Sequence, residues 1–241
     1  MPTPVYYANC PDYTPEHLQS ALDGILPGQI DAFGRVSHKR IMLKPNLLAW
    51  RRADDIACVH PKLIVETARF FLDAGAKEVA LLENPAVQTA PAIIRAMGID
   101  EELKKLGVHV ANFSDYNRLP LPPEVKFHNI ELAAEFLEYD AVADIAKAKT
   151  HAMMILTLCV KNLFGLVKGC DRMGWHLAVG RDFAKFADML LDIHLSVRPR
   201  FNILDAVTCM EGNGPGSGTP VHRGFLAGSS DSLALDASAA A

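Results

Sequence analysis

Short continuous apolar runs alternate along this chain with longer segments whose apolar positions follow helical spacing. The runs predict strands over 38–44, with Ile41 to Leu43 at the centre and a stop at Pro45, and over 78–82, 108–113, 139–146, 200–207 and 224–228. A further short strand is expected near Phe127. Helical spacing is clearest over 61–74. There Pro61 suits the first turn, Leu63, Ile64, Thr67, Ala68 and Phe71 share one face, and Gly75 closes the end. Helices are also expected over 91–97, 100–106, 132–137, 153–167 (stopped by Gly169) and 181–197. In the last of these, Phe183, Phe186, Ala187, Leu190, Leu191 and His194 are expected to face inward. Residues 114–126, rich in proline, and 169–180, which carry Trp175 and His176, read as loops.

Strand alternating with helix predicts an α/β fold: a mostly parallel sheet with helices on both faces. The expected organisation is a single α/β domain over 1–241, with two lobes at roughly 1–126 and 127–241 as the alternative. Asp231 opens a final helix that reaches Ala241 with good helix formers and no cap, so a chain continuing past this point is expected.

Composition narrows the functional classes. The 241 residues are half apolar and carry a net charge of −4, enough to bury a substantial core and a poor match to a general nucleic-acid binder. The apolar run 153–160 is far shorter than the roughly 20 residues that span a bilayer. The first residues lack a basic region followed by an apolar one, so the expectation is a cytoplasmic protein without membrane partners. Five cysteines, Cys10, Cys58, Cys159, Cys170 and Cys209, are widely spaced with no C-x-x-C pair, which favours free thiols over a local zinc or cluster site. Cys170 and Cys209 stand out because each is close to a glycine-containing polar loop.

Candidate chemistry gathers just past the strands, where open α/β sheets bind ligands. Lys44, Pro45 and Asn46 follow the first strand; Glu83, Asn84 and Pro85 follow the second. Lys147, Lys149, Thr150 and His151 follow the run ending near Ala146, and Cys209, Glu211, Gly212, Asn213 and Gly214 follow the strand 200–207. Lysines and a histidine near a core are unfavourable unless an anion meets them. Lys161 and Asn162 interrupt an apolar segment, which places them near the same site. Glu83 could bind a ribose or a metal, act as a base, or bridge to Lys44. His60, at a helix start, is expected to be a neutral imidazole. The loop 212–218 is rich enough in glycine for its N–H groups to approach an anion, although it matches neither a P-loop nor a dinucleotide fingerprint.

Lys44 to Leu48, Lys149 to His151, Lys161 to Gly165, and Asp205 through Glu211 to Pro215 together resemble the bacterial and archaeal family of domain of unknown function 362, from about residue 40 onward. The resemblance implies iron–sulfur association in longer relatives, through a ferredoxin-like cysteine-rich segment that this sequence does not contain. It also implies a distant kinship in fold to the nickel-pincer lactate racemases. The leading expectation is a cationic cleft that binds a small carboxylate or phosphate, in a redox-linked enzyme. His151, Lys149 and Lys161 are the candidate catalytic groups, with His151 titrating near neutrality as acid or base. Lys44, Asn46, Glu83, Asn84, Asn162, Glu211, Gly212, Asn213 and Gly214 are the candidate ligand-binding groups. A divalent metal is a candidate cofactor, with His60, His151, His176, Glu83 and Glu211 as candidate ligands. The alternatives are an iron–sulfur redox module whose cluster lies on another segment, docking an electron-transfer partner, and a non-catalytic assembly protein or homo-oligomer.

Overall fold

The computed structural model describes residues 3–51, 55–118, 122–179 and 182–241. Its strands, in chain order, are β1 (Tyr6–Asn9), β2 (Arg40–Pro45), β3 (Glu78–Leu82), β4 (His109–Ala111), β5 (Tyr116–Asn117), β6 (Leu132–Ala133), β7 (Ala141–His151), β8 (Ile155–Thr157), β9 (Phe201–Glu211) and β10 (Thr219–Ser229). Eight of them form one sheet in the order β1-β10-β9-β7-β2-β3-β4, with β8 paired to β7; β5 and β6 pair separately. Neighbours from β9 to β4 are parallel, while β10, β1 and β8 pair antiparallel. This is the mostly parallel α/β architecture that the alternating pattern predicts.

Period-two alternation sends each central strand into two cores. Ile41, Leu43, Val79, Leu81, Ala143 and Ile145 pack on one face. They meet α1 (Pro15–Ile25), α2 (Pro27–Phe33), α3 (Pro61–Asp73), α4 (Ala90–Ala96) and α5 (Asp100–Lys105). Met42, Ala80, Leu82 and Val142 pack on the other face, against α8 (Phe183–Val197) and a 3-10 turn at Leu163–Leu166. A third cluster joins Ala146, Leu204 and Ala227 to Leu235 of α9 (Ser232–Ala240). Helices that precede β7 thus cover one face and those that follow it cover the other. No helix among the described residues is long and apolar enough to cross a membrane.

Several expectations need correction. β7 continues past Ala146 to His151, because β8 and β9 supply ladder partners on its two sides, so Lys147 and Lys149 lie within the strand. The segment expected as a helix over 153–167 is instead β8, a single turn α6 (Cys159–Asn162) and the 3-10 turn. Its apolar run fits strand or helix equally, and antiparallel pairing with β7 decides. Ile155, at the start of β8, has φ +63, a conformation that a β-branched residue rarely adopts. The presumed loop 169–180 holds α7 (Gly169–Val179).

Residues 132–137 form β6 and the start of a 3-10 turn at Ala134–Glu138. No strand forms at Phe127: its N–H and that of Lys126 are both satisfied by the Asp192 carboxylate, at 2.8 Å each, instead of by a ladder. In α8 the buried face is Phe186, Met189, Leu190, Ile193 and Val197, while Phe183 and Leu191 are exposed. Arg181 and the side chain of Cys170 lie outside the described residues. The N-terminal β1, α1 and α2 have no counterpart in the pattern reading.

Candidate functional site

The C-terminal ends of β2, β3 and β7, together with α6 and α7, enclose a cavity of about 340 Å³. β2 delivers Lys44, which is buried and forms an ion pair with the equally buried Glu83 at the end of β3. Glu83 Oε1 also accepts from the Asn84 N–H at 2.8 Å. Gly165 passes directly over this pair. A Cβ there would lie 2.6 Å from Glu83 Oε1 and 2.8 Å from Lys44 Nζ, so only glycine lets the backbone approach this closely.

Asn162 on α6 is the hub of the polar network. Its Nδ2 donates to Asp144 Oδ1 at 2.7 Å and to the Lys44 carbonyl at 3.2 Å. That turns Oδ1 the other way, to accept from Asn46 Nδ2 at 2.7 Å and Lys44 Nζ at 3.3 Å. Asn46 Oδ1 then accepts from Lys149 Nζ at 2.7 Å, and Lys149 also donates to the Ala57 carbonyl at 2.5 Å. The Asn162 orientation follows from Lys44, whose backbone carbonyl only accepts and whose ammonium only donates, and it fixes Asn46 in turn. Asp144 is fully buried, and desolvation pushes its carboxyl up to about 8 despite nearby Lys44 and the Asn162 bond.

The cavity's cations outnumber its acids. Lys149, Lys161 and Arg172 line it beside the Lys44–Glu83 pair, and among the described residues Glu83 is the only carboxylate in the lining. Among the described residues no carboxylate pairs with Lys149 or Lys161. Desolvation, the largest cause, lowers Lys149 to about 7, and the positive charges of Lys161 and Lys147 add to the effect. Lys161 falls to about 8, by desolvation first and then by Arg172 and Lys44. His151 is pushed down to about 3 by burial, then by Lys161, His176 and Lys149. This runs against the expected near-neutral titration, since the cationic form meets both a low dielectric and like charge. His151 Nδ1 accepts from the N–H groups of Met153 and Met154, at 3.1 and 3.3 Å, which leaves Nε2 to carry the proton.

α7 contributes His176, already a candidate metal ligand, and Arg172 and Met173, which the loop expectation passed over. Arg172, Met173 and His176 share a face at helical spacing and all line the cavity. Arg172 is anchored to the Asn84 carbonyl at 2.6 Å. His176 stacks on Phe186 with centroids 4.9 Å apart and meets Met153 Sδ at 3.2 Å. A helical reading of 169–179 would have revealed the face; the glycines at 169 and 174 argued against it.

Of the candidate residues, the fold brings Lys44, Asn46, Glu83, Lys149, His151, Lys161 and Asn162 to one lining. Asn84 lies behind it, bonded to Tyr116 and Asn112. Glu211, Gly212, Asn213 and Gly214 are outside the lining, and the glycine loop contributes Pro215 alone. The loop packs on β7 instead. A Cβ on Gly214 would lie 2.0 Å from the Thr150 carbonyl oxygen, and Thr150 Oγ1 donates to the Gly212 carbonyl at 3.1 Å.

His60 belongs to a separate cluster. It stacks on Tyr13 at 3.7 Å, and burial lowers it to about 4. There Lys147 pairs with Asp205 at 2.9 Å, and Tyr13 donates to Asp205 at 2.8 Å. Among the described residues no group of three or more His, Cys, Asp or Glu side chains is arranged to hold a metal ion. Cys10, Cys58, Cys159 and Cys209 are free thiols.

Comparison with known proteins adds a family and a fold. A Synechocystis sp. protein described as thylakoid-associated is 33% identical over 197 residues, which cover 82% of this chain and 60% of that protein. A crystal structure of a Thermotoga maritima protein, a Northeast Structural Genomics Consortium target, aligns with a TM-score of 0.50 at 14% identity, over 93% of this chain and 57% of that one. The likeness to that structure is one of fold. The chain thus spans about three fifths of each protein's length. The family described as domain of unknown function (DUF362) matches residues 41–241, the span that holds every residue of the cavity, and the chain belongs to that family.

Proposed function

We propose that the cavity binds a small anionic ligand by a carboxylate or phosphate group. Lys149, Lys161 and Arg172 hold the charge, and His151 donates from Nε2. Lys44 and Glu83 neutralise each other and form a rigid floor. The reading rests on one observation: among the described residues, Lys149 and Lys161 line a cavity without a carboxylate partner, and the carboxylate in that lining, Glu83, is already paired with Lys44. Leaving such charges without a counterion is unfavourable in a shielded site. An arriving anion reverses the penalty and restores the lysine charges, so binding takes up protons near neutral pH. With its ring neutral and Nδ1 occupied as an acceptor, His151 offers an oxyanion the hydrogen on Nε2.

Isothermal titration of the protein with sulfate, in two buffers of different ionisation enthalpy, tests this. The expected result is saturable binding whose apparent enthalpy differs between the buffers, because protons move with the ligand. Lys161→Ala is expected to weaken binding at least about tenfold, the order of a charge-assisted hydrogen bond. Absence of saturable binding, or binding unaffected by that substitution, would remove the reading.

A further inference from the structure

The charged groups account for only part of the cavity. Leu47, Leu48, Ala86, Phe164, Met173 and Pro215 make up much of the remaining lining. Leu47 and Phe164 are buried at 5% and 6% exposure and are held in the apolar cores, so they form fixed wall. Pro215 and Leu48 come from two loops that are tied together: Arg51 Nη1 donates to the Gly216 carbonyl at 3.0 Å, and Gly216 packs against Leu48. Met173 is 67% exposed although it lines the cavity, and Val87, next to Ala86, is 84% exposed. Apolar groups therefore continue from the wall towards solvent.

An inorganic anion would satisfy the lysines and leave this apolar surface in water. The cavity volume of about 340 Å³ falls within the range of organic-ligand sites. We infer that the ligand is an organic anion: one carboxylate or phosphate group carried on a short apolar body, with the head at Lys149, Lys161 and Arg172 and the body against Leu48, Phe164, Met173 and Pro215. This inference rests on the anion reading above and adds the class of molecule. Each methylene moved out of water onto that wall adds affinity that the head group alone cannot supply.

Four probes separate the two statements: acetate against hexanoate, and inorganic phosphate against phenyl phosphate, each titrated into the full chain at pH 7. Hexanoate and phenyl phosphate are expected to bind at least about tenfold more tightly than their small counterparts, as burial of several methylenes or a ring requires. Lys161→Ala and Lys161→Gln, each checked for an unchanged melting transition, are expected to weaken both larger ligands. Equal affinities within each pair would overturn the inference and leave the anion reading standing. Failure of all four to bind would overturn both. Tight hexanoate binding that ignores both Lys161 substitutions would place the apolar body elsewhere and overturn the inference.

Discussion

Lys147 and Lys149 stand two residues apart on β7, and both side chains are buried, yet they occupy opposite electrostatic situations. The register of β7 against β9 shifts between them, and their ammonium groups meet different partners. Lys147 meets the Asp205 carboxylate at 2.9 Å and the Tyr13 hydroxyl at 3.0 Å, and Asp205 accepts further from Tyr13 and from the His60 N–H. That cluster is charge-balanced, and it ties the β1–α1 connection, the start of α3 and β9 to β7. Among the described residues Lys149 donates only to neutral acceptors, Asn46 Oδ1 and the Ala57 carbonyl, and it faces a cavity that holds further cations. A buried lysine supplied with an acid serves the fold. One denied an acid holds its charge only weakly, which makes sense if something from outside completes it.

The same substitution at both positions tests the contrast most severely. Lys147→Met strands the Asp205 carboxylate in the core, and the loss of one partner of a buried pair is expected to destabilise by about 3–5 kcal/mol. Lys149→Met removes a desolvated cation and leaves an apolar stem in its place. Its unfolding free energy is expected to stay within about 1 kcal/mol of the parent, while sulfate binding weakens at least about tenfold. Urea unfolding at pH 7 measures both. Equal destabilisation by the two substitutions would erase the distinction between a structural and a ligand-facing lysine.

A smaller effect is expected where the backbone presses on the cavity floor. Gly165→Ala drives a methyl group into the Lys44–Glu83 pair, and overpacking of this kind typically destabilises by about 1–3 kcal/mol. The pair must shift, and Asn162, which also contacts Lys44, shifts with it. Weaker sulfate binding should therefore accompany the lower unfolding midpoint. Unaltered binding in a destabilised Gly165→Ala protein would show that the floor does not set the position of the cations above it.

The parts of this arrangement that sequence makes legible are those decided locally. The helix α3 shows its buried face, its proline start and its glycine stop in consecutive residues, and β3 is a bounded apolar run. Lys44, Asn46 and Glu83 could be picked out because polar groups end apolar strands. The segment from Met153 to Val179 resists local reading. β8 exists only because β7 extends to receive it, and α7 contains a glycine that breaks the pattern. Asp144 gives no local sign of its role, since the Asn162 that holds it comes 18 residues later and from another element. The glycine loop misleads for the opposite reason. Its composition suits an anion cradle, but the fold uses the missing side chain of Gly214 to lay the loop against Thr150.

The mildest test concerns protons. A lysine titrating near its ordinary value, about 10.4, would hold an anion with constant strength up to pH 9. Lys149 at about 7 and Lys161 at about 8 cannot. Desolvation dominates both shifts, and the neighbouring cations add to them. As pH rises through these values the empty site loses its lysine charges, and binding must then take up a proton for each lysine recharged. Affinity for sulfate, which does not itself titrate in this range, is therefore expected to be highest below pH 7. Above pH 8 it should fall by about tenfold per unit for each proton required. In Lys149→Met one of the two titrating groups is gone, so any residual binding should fall less steeply with pH than in the parent. A flat profile from pH 6.5 to 9 in the parent would mean that the lysines keep ordinary proton affinities, and the contrast with Lys147 would then rest on geometry alone.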